Sequence, residues 1–148
     1  MSSVTAFTAS GQELAAEIET IAPRAVTATG DFDAWVAPDR LIDVMTGLRD
    51  AGFEMLIGVT GVDYIAYFEV VYHLLSLSQN RRAIVKVRCG EGRIDPVVPS
   101  VMEVWRGAEL QEREVYDLMG LRFEGRGQMK RIFLWEGFEG HPHRKDFL

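Results

Sequence analysis

Between residues 54 and 89 three strand-like runs follow one another with almost nothing between them: EMLIGVTGVDY from Glu54, YFEVVYHLLSL from Tyr67 and RAIVKVRC from Arg82. The third alternates strictly. Ala83, Val85, Val87 and Cys89 fall on one side, and Ile84, Lys86 and Arg88 on the other. That is the two-residue period of a strand with one buried face. The second run is apolar on both sides, as expected of a central strand. Links this short, with SQN from Ser78 as the last turn, join antiparallel neighbours, because parallel strands need a crossover of a dozen residues or more.

Helical patterns flank this block. Ser10 followed by Glu13 has the spacing of a capping box, Leu14, Ile18 and Ile21 repeat behind it, and Pro23 ends the run. AWVA from Ala34 reads as a short strand. Pro38 and Asp39 then open a second helix with the stripe Leu41, Val44, Met45, Leu48, which Gly52 is placed to end. Beyond the strands, Pro99 and Ser100 read as a third helix start before the patch Val101, Val104, Trp105. Gly107 weakens propagation there, so two short helices are expected, the second from Glu109 to Met119 with Gly120 as its cap. This order predicts an α+β fold in two layers, a mainly antiparallel sheet of about four strands with helices packed on one face.

Residues 122–148 follow no sustained period, yet hold Phe123, Phe133, Trp135, Phe138 and Phe147. They carry six Lys or Arg against four acids, whereas the rest of the chain stands at −8. So long a stretch without a pattern is uncommon in a compact domain, and its aromatic content argues against disorder. The expected division is a body over residues 1–121 and an extended C-terminal arm over 122–148, lying across the body and onto a partner. The 148 residues suffice for one core-bearing domain.

A net charge of −6 argues against general nucleic-acid binding, which needs a basic surface. The single cysteine, Cys89, provides neither an internal disulfide nor a four-cysteine metal or iron–sulfur site. The best apolar run, VVYHLLSL from Val70, falls far short of the roughly 20 residues that span a bilayer. The first ten residues do not read as a secretion signal. Membrane association is therefore expected only through a partner.

One stretch carries a conflict: QEREVYDLMG, residues 111–120. Helical steps from Trp105 place Ala108, Glu112, Val115 and Met119 on one face. A carboxylate there costs several kcal/mol if it is buried unpaired, so a partner is expected. An arginine fork fits best, with Arg131 and Arg144 of the arm as candidates. The alternative is that Gly107 resets the helical phase and Glu112 is solvated. On the sharper reading, Glu112, Arg113, Glu114 and Asp117 form a polar joint that clamps the arm or a neighbouring chain. His141 and His143 flank a proline at a spacing unusual for metal ligands. GEGR and EGRG lack the helix and lysine of phosphate-binding loops. Cys89 reads as core, and nothing in the spacing of Glu112 and Asp117 prefers acid–base chemistry. No self-contained active site emerges.

The segments EVVYHLLSLSQNRR, PSVMEVWRGAELQEREVYDLMGLRFEG and KRIFLWEGFEGHPHRKDF resemble the thirty-kilodalton, or C-type, subunit family of proton-translocating NADH:quinone oxidoreductase, respiratory complex I. The likeness runs from about Val62 to Phe147, and the ERE-VYDL-G block followed by the GHP-RKD block is its most specific part. The resemblance implies a peripheral-arm protein with no cofactor of its own, in a complex that uses NAD, FMN, iron–sulfur clusters and quinone. The partners it implies are the large D-type subunit that forms the quinone site and cluster-bearing neighbours, on the cytoplasmic side of the cell membrane. Carried over by position, its interface residues are Glu112, Arg113, Glu114, Tyr116, Asp117, Arg131, Arg144, Lys145 and Asp146. A ferredoxin-dependent relative of the complex and the equivalent subunit of a membrane-bound hydrogenase are the alternatives within the same family. A stand-alone carboxylate or histidine enzyme is the alternative outside it.

Overall fold

In the computed structural model, which describes residues 7–91, 96–125, 140, 141 and 144, the three runs form three nine-residue strands side by side. In chain order the elements are β1 (Phe7–Thr8), α1 (Gly11–Ile21), β2 (Val26–Thr29), β3 (Ala34–Val36) and a 3-10 turn at Pro38–Arg40. They continue with α2 (Leu41–Asp50), β4 (Met55–Asp63), β5 (Phe68–Ser76), β6 (Arg81–Cys89), β7 (Val97–Pro99), α3 (Ala108–Met119) and β8 (Arg122–Glu124). The main sheet runs β2-β3-β6-β5-β4, with β1 also paired to β6, and β7 and β8 make a second, two-stranded sheet.

The register fixes which side chains share a face. β5 pairs antiparallel with β6 without a break, from Phe68 opposite Cys89 to Ser76 opposite Arg81. Phe68, Val70, Tyr72 and Leu74 therefore join Ala83, Val85 and Val87 on the core side, where all are buried. Glu69, Val71, His73 and Leu75 go to the other side with Arg82, Ile84, Lys86 and Arg88. All three helices lie on the core side. Leu14 and Ile18 of α1, Leu41, Val44, Met45 and Leu48 of α2, and Val115 and Met119 of α3 belong to one buried cluster with the inner faces of β5 and β6. The Ser10 hydroxyl accepts from the Glu13 backbone N–H at 3.2 Å, so the expected cap starts α1.

The class is α+β with helices on one face, as expected, but the sheet is larger and more mixed than the sequence suggested. β1 and β3 both pair with β6 in parallel. These strands are two and three residues long, and β2 is four. Elements this short show no measurable period, and parallel pairing to a distant strand leaves no local trace. The helix expected at Pro99 is a second correction. Pro99 belongs to β7, which pairs in parallel with β8 (Val98 opposite Phe123). Residues 101–107 make turns, in which the Val104 and Trp105 N–H groups both donate to the Val101 carbonyl. Arg122–Glu124, the first residues of the stretch read as an arm, thus form a strand, and Phe123 is buried in the core. No helix among the described residues is long and apolar enough to cross a membrane.

Candidate functional site

Glu112 is fully buried on the inner face of α3, between Ala108 and Val115. Its Oε1 accepts from the Ser100 hydroxyl at 2.6 Å and its Oε2 from the Val101 backbone N–H at 2.8 Å. Charge-assisted bonds of this kind are about twice as strong as neutral ones, which is how the carboxylate is tolerated there. Ser100 is tied in turn: its N–H donates to the Glu124 carbonyl at 2.7 Å, and its Oγ accepts from the Met102 N–H at 3.1 Å. One carboxylate therefore joins α3, the turn after β7 and, through Ser100, β8. The solvated alternative is ruled out. These two donors, a hydroxyl and a backbone amide, both belong to the body. Of the two arginines considered, Arg131 lies outside the described residues and the Arg144 guanidinium stands 4.8 Å from the centre of the Phe68 ring.

The other positions on α3 divide by face. Arg113 faces Glu109 across one turn at 3.7 Å, a surface pair worth a few tenths of a kcal/mol. Glu114 is exposed and Asp117 is buried. Gly120 ends the helix in the left-handed region at φ 76°, and its N–H donates to the Tyr116 carbonyl. The His141 ring rests on that turn. A Cβ on Gly120 would come within 2.7 Å of its Cδ2, its Nδ1–H donates to the Asp117 carbonyl at 2.8 Å, and its ring lies 5.7 Å from that of Tyr116. The Arg144 N–H donates to the His141 carbonyl. Two described residues of the expected arm thus lie against the chain's own body. Lys145 and Asp146, with His143, fall outside the described residues.

Sequence reading missed two features. Gln111 fastens α3 to the sheet by accepting the Val59 backbone N–H at 2.7 Å, and a lone glutamine beside a glutamate gives no sign of that. The second is a cluster on the helix-free face: Trp35, Glu69, Lys86, Arg88 and Asp33. Trp35 Nε1–H donates to Glu69 Oε2 at 2.8 Å, and the Lys86 ammonium stands 2.8 Å from Asp33. The signal was Glu69 itself, a lone acid in an apolar strand, but its neighbours follow only from register.

Reactive groups are scarce among the described residues. No group of three or more His, Cys, Asp or Glu is arranged to hold a metal. Burial pushes the Cys89 thiol up to about 12, so it stays protonated and inert near neutrality. The Tyr72 hydroxyl is fully buried without a hydrogen bond, and burial, then the nearby charge of Glu112, raises its ionisation well above the ordinary tyrosine range. The acids that looked chemically interesting are built into the packing.

The family model described as respiratory-chain NADH dehydrogenase, 30 Kd subunit, matches residues 34–148. The NADH-quinone oxidoreductase C subunit of Azorhizobium caulinodans is 43% identical over 146 residues, a match covering 92% of this chain and 68% of the relative. Its namesake in Roseiflexus castenholzii is 43% identical over 123 residues, covering 79% and 70%. Among solved structures, a chain of the membrane-bound sulfane sulfur reductase, an archaeal respiratory membrane complex, superposes with a TM-score of 0.77 at 29% identity. That match covers 93% of this chain and 85% of the other. A trypsin-resistant fragment of Nqo5 superposes with a TM-score of 0.61 at 31% identity, covering 79% and 94%.

Proposed function

The chain belongs to the 30 Kd subunit family of respiratory-chain NADH dehydrogenase, and from that premise we propose that its own part in the complex is structural. It is one subunit of an oxidoreductase complex of the NADH dehydrogenase (quinone) type. On the proposed reading it contributes no catalytic group. It holds the quinone-site subunit in register, docking through α3 and the arm, while flavin, iron–sulfur clusters and quinone sit on its neighbours. Its place is the cytoplasmic side of the membrane, reached through those neighbours.

The observation that carries this reading is Glu112. The acid most out of place in the sequence is fully buried and accepts from a hydroxyl and a backbone amide of its own chain. Such a carboxylate sets the shape of a docking surface rather than moving a proton. Glu112→Ala is expected to lower the amount of assembled complex isolated from native membranes, with turnover per assembled complex unchanged. Normal assembly with lost turnover would overturn the proposal. The likeness to the sulfane sulfur reductase chain favours a second reading, the equivalent subunit of a related membrane complex. Mass identification of the proteins that co-purify with the tagged chain separates the two, since only the first requires subunits that carry NADH and flavin sites.

A further inference from the structure

Among the described residues, no helix lies on the second face of the six-stranded sheet. On an antiparallel sheet such a face is ordinarily a set of separately solvated side chains. Here it holds an ordered network. Glu69 stands opposite Arg88 in the β5–β6 register and is only 2% exposed, although no helix among the described residues covers it. Trp35 and the cations of β6 roof it over. Besides the Trp35 bond, the Lys86 ammonium stands 3.9 Å from Glu69 Oε1 and Arg88 Nε 3.8 Å from Oε2. Glu69 Oε1 accepts no hydrogen bond, so the buried network is one donor short.

The charges of this face are sorted by depth. Its acids are withdrawn: Glu69 is buried and Asp33 holds Lys86. Its cations face outward. The Arg88 side chain is 51% exposed, and Arg82, further along the same side of β6, is exposed as well. His73 registers the same positive field. Its proton affinity is lowered first by burial and then by Arg82 and Lys86. In a chain of net charge −6 this is a local reversal of sign. The Arg88 guanidinium lies 4.8 Å from the centre of the Tyr67 ring, and that ring stacks on Tyr64 at 5.3 Å. A guanidinium held over a ring has given up part of its freedom before anything binds.

We propose that this face docks an acidic, extended segment of another subunit, with carboxylates meeting Arg88 and Arg82. The two arginines are six residues apart on one strand, about 20 Å at the usual rise, so the segment presents two acidic groups at roughly that separation. The inference rests on the reading of this chain as a docked subunit, and goes beyond it by naming a surface away from α3 and the chemistry of its occupant.

The test uses the full chain in its native membranes, with Arg82→Glu and Arg88→Glu combined. Arg106→Glu, an exposed position in the turn before α3, is the control. A photo-crosslinking residue replaces Ile84, which points outward between Arg82 and Lys86. The expected result is at least a tenfold loss of co-purifying subunits for the double variant, with the isolated chain still folded by circular dichroism. The control should assemble normally, and the crosslink from position 84 should land on an Asp- or Glu-bearing peptide of another subunit. If the charge reversals unfold the chain, Arg82→Gln with Arg88→Gln takes their place and is read the same way. Full assembly of the double variant, or a crosslink between two copies of this chain, overturns this inference and leaves the structural role standing. A wild-type chain that co-purifies with no other subunit overturns both.

Discussion

At the scale of single residues, Glu112 shows how burial changes the worth of a charge. Its carboxylate serves two buried donors, the Ser100 hydroxyl and the Val101 N–H. Glu112→Ala strips both of this acceptor and leaves a cavity, and should cost the isolated chain about 3 kcal/mol of unfolding free energy. Arg113→Ala, one position on, removes a partly exposed ion pair with Glu109, itself worth less than about 0.5 kcal/mol, and should cost less than Glu112→Ala. Urea unfolding of the two variants beside wild type checks this, and equal losses would show that position 112 is not a special pin. Helical phase placed Glu112 on the apolar face from sequence. Its partners were not legible, because Ser100 lies 12 residues back in a turn whose course only the folded chain reveals.

At the scale of elements, the long amphipathic pieces were readable and the short ones were not. α1, α2, α3 and β6 each bury one apolar face and so leave a period in the sequence, and β5 shows as a continuous apolar run. β7 and β8 stand only because they pair with each other and roof the core with Val98 and Phe123. Close approach needs small residues. Gly61 on β4 lies where a Cβ would be 3.0 Å from Val115 and 3.2 Å from Met119, so α3 can settle on the sheet. Gly120 joins two demands, a left-handed turn and a seat for His141. Gly120→Ala should therefore cost about 1–2 kcal/mol from backbone strain alone and displace the imidazole. Its signature is faster proteolysis after Gly125 and faster amide exchange at Arg144, while the β5 and β6 amides stay protected. Unchanged cleavage would mean that His141 does not anchor the C-terminal segment.

At the scale of the whole molecule, charge is distributed unevenly between the two sides of the sheet, and pH should expose that. Burial, then Arg82 and Lys86, lowers the proton affinity of His73 in the folded chain. The unfolded chain then binds the proton first as pH falls. Stability from this group is full above the unfolded value of about 6.5 and is lost as pH drops from there through the folded value. A stability profile between pH 8 and 5 should decline on the acid side, and His73→Gln should flatten that part. An unaltered slope in the variant would assign the decline to other groups. By itself the sequence determined the class, the apolar stripes of the helices, the two faces of β6, the place of Glu112 on an apolar helical face and the family. These rest on periodicity and on local motifs, which need only neighbouring residues. Only the tertiary structure decided the parallel joins to β6, the pairing of β7 with β8, the seat of His141 and the Trp35–Glu69–Lys86–Arg88 network. Each of these unites residues far apart in the chain, through a register that no segment encodes alone.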